Sequence, residues 1–527
     1  MKSEKIYLVI FAATAMLISS SCKKNFIDIN TDPNHITAAN INYSYLFTNA
    51  QLITSGNSDA NAYEDWRNNL IYSACMIQHL SSTTGYWDGD KYLYNASYNS
   101  AYWDNNYNNS FTNIVEVVTH MRKDSAAQAN FYHIARIFKV FMFQRMTDMY
   151  GDCPYSQAGL GYISGITSPK YDKQQDIYTD LLNELADAAS KLSTSATNTV
   201  GKADLLYAGD PAKWKKFAYS EMLRLAMRLT KVDAANAQKW AAAAYAGGVM
   251  SSNDDNAILL HTAPASGTPV PNGTGFVLIG NDPNASRLSK TFVDYLTSTT
   301  DPRLPYLGTV STNPGDGTDL GDTTYAIQLG QPNGFDAPNS GSANDLIHAS
   351  NWPGDQNKYS IVNRYTFARL DAPSFFLTAG ETQLLLAEAA EKGWVTGTTA
   401  ATCYNAGVNQ SMQMLALQAG AGPGNTSIGI YLTAHPYTPG ANGLKQINYQ
   451  YWVSTFMDEN ESFANWRRSG FPTLTPVNYP GNVTNGTIPH RFTYPQGEAS
   501  TNGPNYAAAV SGLSGGDKMS SHVWWDK

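Results

Sequence analysis

"TAGETQLLLAEAAEKGW" (378–394) predicts a helix that ends at Gly393, and 399–417 predicts a second one a few residues later. Small Ala387 and Ala389 fall where two helices must approach, and Ala406 lies in the second helix. Working outward, another pair is predicted over 445–463. Upstream, Asp210-Pro211 supplies an N-cap and a first-turn proline ahead of Trp214, Phe217, Met222, Leu225 and Leu229. The alanine-rich run 233–245 follows at once. Asp172, with Gln175 three residues on, forms a capping-box-like pair before Ile177, Leu181, Leu185, Ala188 and Leu192. Helical spacing extends further back, over 129–149, through Trp103, Tyr107, Ile114 and Val117, over 63–80 with Trp66, Leu70, Ala74 and Ile77, and from Tyr43 with Leu46, Ala50 and Ile53.

Helices in consecutive pairs point to an all-α-dominated repeat scaffold, and the 378–417 pair resembles a tetratricopeptide unit. No clean 34-residue period emerges, so the repeats are degenerate and separated by insertions. Residues 251–372 differ in character. Gly, Pro, Asn, Asp and Ser dominate there, and helical periodicity survives only near 290–296. Irregular chain of that length inside a domain usually carries function or contacts a partner. The expected organisation is a helical region (43–250), a loop-rich insertion forming a ligand or partner face (251–372), a helical region (373–469) and a loop-rich tail (470–527).

At the start, Lys2 and Lys5 precede an apolar stretch (6–18), then Ser19, Ser20, Ser21 and Cys22. That order reads as a signal peptide over 1–21. The apolar run is shorter than the roughly 20 residues that span a bilayer. A cysteine after small residues looks like a bacterial lipobox, which makes Cys22 the site of lipid attachment, with 22–42 as a tether. Ser19 departs from the usual aliphatic residue, and plain secretion is the alternative. Cys75, Cys153 and Cys403 sit in apolar settings with no C-x-x-C pair, as expected of buried free thiols.

Net charge is −8, from 35 basic and 43 acidic residues, with no basic run beyond Lys23-Lys24, so a nucleic-acid footprint is absent. Charged residues make up only 15% and aromatics 12%, with 33 Tyr and 11 Trp. A weakly charged surface rich in rings and amides suits neutral polyhydroxylated ligands, because rings stack on sugar faces and amides bond hydroxyls.

A set of motifs in order then resembles the SusD/RagB-like family of outer-membrane nutrient-binding lipoproteins. They are "NTDPN" (30–34), "YGDCPYSQA" (150–158), "YDKQQDIYTDLLNEL" (171–185), "GDPAKWKKFAYSEMLRLAMRL" (209–229), "DPRL" (301–304), "LLLAEAAEKGW" (384–394), "FANWRRSGFPTL" (463–474) and "VWWD" (523–526). Cys153 departs from the small or aliphatic residue usual there. The resemblance implies about four tetratricopeptide-like helix pairs with a loop-rich ligand face, no cofactor, and a SusC-like TonB-dependent transporter as partner. It also implies a lipid-anchored outer-membrane protein, facing outward, that binds glycans without catalysis. A peptide-binding lid of the same build, or a secreted glycoside hydrolase, are the alternatives. The motif residues themselves read as structural: Tyr150, Asp152 and Pro154 as a buried turn, Arg224 and Arg228 as helix-face charges, and Arg467-Arg468 as packing or salt-bridge elements.

Ligand residues must be sought in local chemistry. The first candidate is the loop with Tyr86, Trp87, Asp88, Asp90, Tyr92 and Tyr94, where Gly85 and Gly89 suggest exposed rings with little other anchoring. The second holds Phe335, Asn351, Trp352 and Tyr359, with Asn281, Asp282 and Asn284 as added hydroxyl-bonding groups. Asp316, Asp319 and Asp322 are spaced between glycines either as Ca²⁺ ligands or as a solvated turn. Catalytic motifs are scarce. Gly512-Leu513-Ser514-Gly515-Gly516 fits the G-x-S-x-G string, but too little chain follows for a strand–elbow–helix. No H-E-x-x-H or P-loop is present.

Overall fold

The computed structural model describes residues 41–527, apart from 57–63, 83, 124, 196–199, 264 and 266–268. Cys22 and the "NTDPN" motif lie outside the described residues. The architecture is helix-dominated, as expected, and its strands pair only in twos. Four consecutive helix pairs pack together: Phe111–Lys123 with Ala129–Tyr150, Pro211–Arg228 with Ala234–Gly247, Ala379–Glu391 with Ala400–Ala419, and Ala441–Ser454 with Glu459–Ser469. Gln174–Lys191 lies against one helix of each of the first two pairs, Ala129–Tyr150 and Pro211–Arg228.

Local chemistry explains several of the helix starts. Asp210 accepts from the N–H groups of Ala212 (2.8 Å) and Lys213 (3.3 Å), and Pro211 occupies the first turn. Thr378 and Glu381 form a capping box at the start of Ala379–Glu391. Two expectations need correction. Asp172 is not the cap of its helix. It pairs in a two-residue strand with Cys153 and accepts from the N–H groups of Tyr155 and Ser156, while Asp152 takes the Gln174 N–H at 2.8 Å. The cap is thus supplied from the preceding turn rather than from the chain leading into the helix. The 63–80 stretch is not a regular α-helix either: Asp65–Ala74 is π-helical, and the chain then turns into the strand Leu80–Ser82.

A buried ionic core joins the repeats. Arg224 lies 2.9 Å from Glu381, 3.2 Å from Glu221 and 3.5 Å from Glu461. Arg228 meets Glu461 at 2.6 Å and Asp148 at 3.3 Å, and Arg468 meets Glu388 at 2.7 Å. These arginines, from two of the quoted motifs, bond inward, as their structural reading requires. Burial pushes the Glu221 carboxyl up to about 7, with Glu461 close by. Glu461 is held at about 2 despite its burial, because Arg228 and Arg224 flank it. The tail closes on the same core, where the fully buried Trp525 donates its indole N–H to Asp148 (3.1 Å). Cys75, Cys153 and Cys403 are buried free thiols.

Candidate functional site

The irregular segment is fastened to the 80–94 loop at many points. Leu80–Ser82 pairs antiparallel with Ser286–Leu288, with Ser81 opposite Arg287. Gln331 donates to the Ser82 carbonyl at 2.6 Å and Asn333 to the Leu80 carbonyl at 2.7 Å. Asp90, fully buried, accepts from the N–H groups of Ser82 (3.0 Å) and Gly334 (3.2 Å). Next to it, Lys91 pairs with Asp336 at 3.0 Å and sits 5.0 Å from the ring centre of Tyr479, whose hydroxyl donates to Asp336 (2.8 Å). Gly89 permits this docking: a Cβ there would come within 1.9 Å of the Ile71 carbonyl oxygen on the π-helix below. The glycine read as leaving the loop unanchored is the point at which it seats.

Asp282 organises the ring cluster. Tyr86 donates its hydroxyl to one carboxylate oxygen, and Trp87 donates its indole N–H to the other at 2.9 Å. Burial and this carboxylate together push the Tyr86 phenol well above its usual value. The expected exposed platform at Trp87 is not seen, because the residue is 0% exposed and its indole N–H is taken up by Asp282. Tyr92 is also buried, its hydroxyl accepting from the Val477 N–H at 3.2 Å. Tyr86 and Tyr94 do face solvent, at 44% and 41%. Asp88 is half-buried, and burial raises its carboxyl, with Asp90 adding to the effect.

In the second candidate, Tyr359 is fully buried with Leu346 and Ala349, and Leu329, Phe335 and Trp352 pack around them. Trp352 is half-buried, its ring 6.3 Å from that of Tyr359. Asn351 donates to the Gly330 carbonyl at 2.9 Å. The two candidates share one backing, the 330–336 strip: Asn351 binds it from one group, and Ser81, Asp90 and Lys91 bind it from the other. Asn281 and Asn284 are exposed beside Asp282. Asp316, Asp319 and Asp322 each accept locally, from Thr318, from Ser311 with the Asn313 and Gly321 N–H groups, and from the Thr324 N–H. Those bonds hold all three carboxyls below their ordinary value, and the three groups form separate turns.

Sequence reading missed Tyr98 and Tyr479. Arg67 lies 5.4 Å from the Tyr98 ring centre, and Tyr479 reaches Asp336 from the tail, far away in sequence. Nothing local marks either residue. A separate solvent-open cleft lies between residues 64–69, 372–378 and 454–460. Asp65 in its wall accepts from Thr274 (2.6 Å) and Asn69 (3.0 Å).

Paired helical repeats carrying one polar, ring-bearing irregular face define a binding scaffold. The chain belongs to the SusD-like family: the family model described as "Starch-binding associating with outer membrane" matches residues 33–495. Among solved structures it is similar to a chitin-binding protein, at 35% identity and TM-score 0.78, covering 92% of this chain and 100% of that one. It is also similar to a SusD-like protein of Bacteroidetes AC2a, at 27% identity and TM-score 0.79, covering 92% of this chain and 100% of that one. A SusD homologue of Flavobacterium johnsoniae described as chitin-binding shares the fold, at 23% identity and TM-score 0.74, covering 92% of this chain and 98% of that one. No curated protein matches the chain. No helix among the described residues is long and apolar enough to cross a membrane.

Proposed function

We propose that this protein binds glycans at the outer-membrane surface without altering them and delivers them to a SusC-like TonB-dependent transporter. Lipid attached at Cys22 anchors it to the membrane. The observation that carries the reading is the 35% identity, across nearly the whole of both chains, with a protein named for chitin binding. The irregular face supports it chemically, with an exposed phenol ring, exposed amides at Asn281 and Asn284, and a half-buried indole on one rigid backing. In this reading Tyr86, Asp88, Asn351 and Trp352 touch the sugar. Trp87, Tyr92 and Tyr359, buried beneath, hold that surface in shape.

The test is titration calorimetry with starch- and chitin-derived oligosaccharides and with peptides, followed by chromatography of the recovered ligand. Binding of a glycan that is recovered intact is expected. Tyr86→Ala and Trp352→Ala each weaken it about 3- to 10-fold, the effect of losing one ring contact worth about 0.5–1.5 kcal/mol. Binding of peptides alone, or release of shorter sugars, would overturn the proposal. Cys22→Ser is expected to shift the protein from the membrane fraction to the soluble one, and retention at the membrane would refute acylation there.

A further inference from the structure

The last residues carry a group of side chains that glycan binding does not use. The buried Trp525 fixes the chain end, with the Arg467 guanidinium 4.8 Å from its ring centre. Asp526 is thereby held with only 2% of its surface exposed. Two imidazoles aim the same type of nitrogen at one of its oxygens: His490 Nδ1 lies 2.7 Å from Asp526 Oδ2, and His522 Nδ1 lies 3.2 Å from it. The two rings lie 3.9 Å apart, 33° from parallel. His490 is fixed through its backbone, its N–H donating to the Met519 carbonyl (2.7 Å) and its carbonyl accepting from Arg467 (3.0 Å). The His522 side chain is 48% exposed and leaves one side open to water. Among the described residues, no other group of three or more His, Cys, Asp or Glu converges in this way, with ligand atoms all within 4.8 Å of one another.

We propose that His490, His522 and Asp526 form a binding site for a divalent transition-metal ion of the Zn²⁺ type, with water completing the coordination. Two imidazoles and a carboxylate are the donor set such ions favour, and three protein ligands plus water is a common tetrahedral arrangement. Bonds of about 2.0–2.2 Å to each ligand put neighbouring donor atoms about 3.3–3.5 Å apart. The two observed N···O separations need widen by only a few tenths of an ångström to about 0.8 Å, which the exposed His522 can supply. An imidazole binds the ion through a nitrogen free of its proton, so affinity falls as the imidazoles protonate. Arg467 and Lys231 are the nearby positive charges that oppose the ion. Bound metal would clamp the terminal turn to the irregular tail segment around residue 490.

Titration of tag-free, EDTA-stripped protein with ZnCl₂ by calorimetry at neutral pH tests the site, with CaCl₂ as control. One equivalent of Zn²⁺ is expected to bind and to raise the thermal midpoint, and Ca²⁺ is expected to do neither. His522→Ala, which alters an exposed side chain, weakens Zn²⁺ at least tenfold with an unchanged circular-dichroism spectrum. Co²⁺ gives the visible absorption band of a low-symmetry four-coordinate centre in the wild type only. Absence of a Zn²⁺ isotherm in the wild type, or Zn²⁺ binding by the His490→Ala/His522→Ala pair as tight as that of the wild type, overturns the proposal.

Discussion

Buried Arg224, Arg228 and Arg468 in the helical repeats face carboxylates, whereas Arg287 and Arg364 in the irregular segment face backbone. Arg467, in the last turn of its repeat helix, also takes carbonyls, one of them that of Asp148 in the last turn of another helix. Arg224, Arg228 and Arg468 are each within reach of at least one Glu. Arg287 instead donates to the carbonyls of Ser286 (2.9 Å) and Asn284 (3.2 Å) and to the Asn284 side chain (2.7 Å). Arg364 donates to the carbonyls of Asp316 and Pro314 (both 2.6 Å), Asp319 (2.7 Å) and Pro283 (3.1 Å). The reason is where each region's carbonyls already bond. A helix satisfies its own, so a buried guanidinium there needs an acid; a run of turns leaves carbonyls orphaned, and one planar five-donor group gathers several. Arg303 stands between the two regions, using Asp301 (2.5 Å) while also reaching Gln450 (2.6 Å) on a repeat helix. The difference shows in proton affinity too. Burial, with Arg364 nearby, lowers Arg287 to about 10, while Arg228 is raised well above its ordinary value by Glu461 and Asp148 in spite of its burial.

Breaking the acid-paired side should cost most. Arg228→Ala leaves Glu461 and Asp148 buried without it, and is expected to lower unfolding free energy by about 3–5 kcal/mol in urea melts; a loss below about 1 kcal/mol would mean that the pairing is not what holds the repeats. Arg364→Ala should cost less, about 1–3 kcal/mol, because its carbonyl partners lie near the surface and regain water. Its signature is faster amide exchange confined to 313–322, and exchange spread through the helices would contradict the hub role. Glu221→Gln sharpens the comparison by pH. Glu221 has a folded value of about 7 against 4.5 for the free side chain, so the native state holds an extra proton between those values. Wild-type stability from this group is full below pH 4.5 and is lost as pH rises through 7. The variant, which carries no titrating group, should gain on the wild type between pH 5 and 8 by about 2–3 kcal/mol, since that window covers most of the separation between 4.5 and about 7 at about 1.4 kcal/mol per pKa unit. Parallel stability curves would show that Glu221 is ionised throughout. The smallest effect belongs to the irregular face: Tyr86→Phe removes one partly exposed bond to Asp282 and should cost about 0.5–1 kcal/mol, measured by thermal melting.

The repeats were legible because their signals are local. Asp210-Pro211 and the apolar spacing that follows state a helix and its start within a few residues, and the Gly393 ending closes 378–394 as read. Asp172 misled because its capping role passed to Asp152, a substitution visible only once the 150–154 turn folds beside it. The candidate face was legible in composition but not in orientation. Gly85 and Gly89 around Trp87 looked like freedom, yet Gly89 serves close approach to Ile71, and Asp282, about 195 residues from Trp87, supplies the bond that lets the indole be buried. Long-range pairing of this kind leaves no periodic trace in sequence. Cys22 and the tether up to residue 40 lie outside the described residues, so their reading rests on sequence alone.

The central claim is that sugar sits on the irregular face, and hydrogen–deuterium exchange at saturating chitin oligosaccharide tests it most directly. Slowed exchange is predicted in 80–94, 281–288 and 331–359, with the helix pairs unchanged. Protection concentrated instead around the cleft at 64–69, 372–378 and 454–460, with those three segments unaffected, would contradict the account.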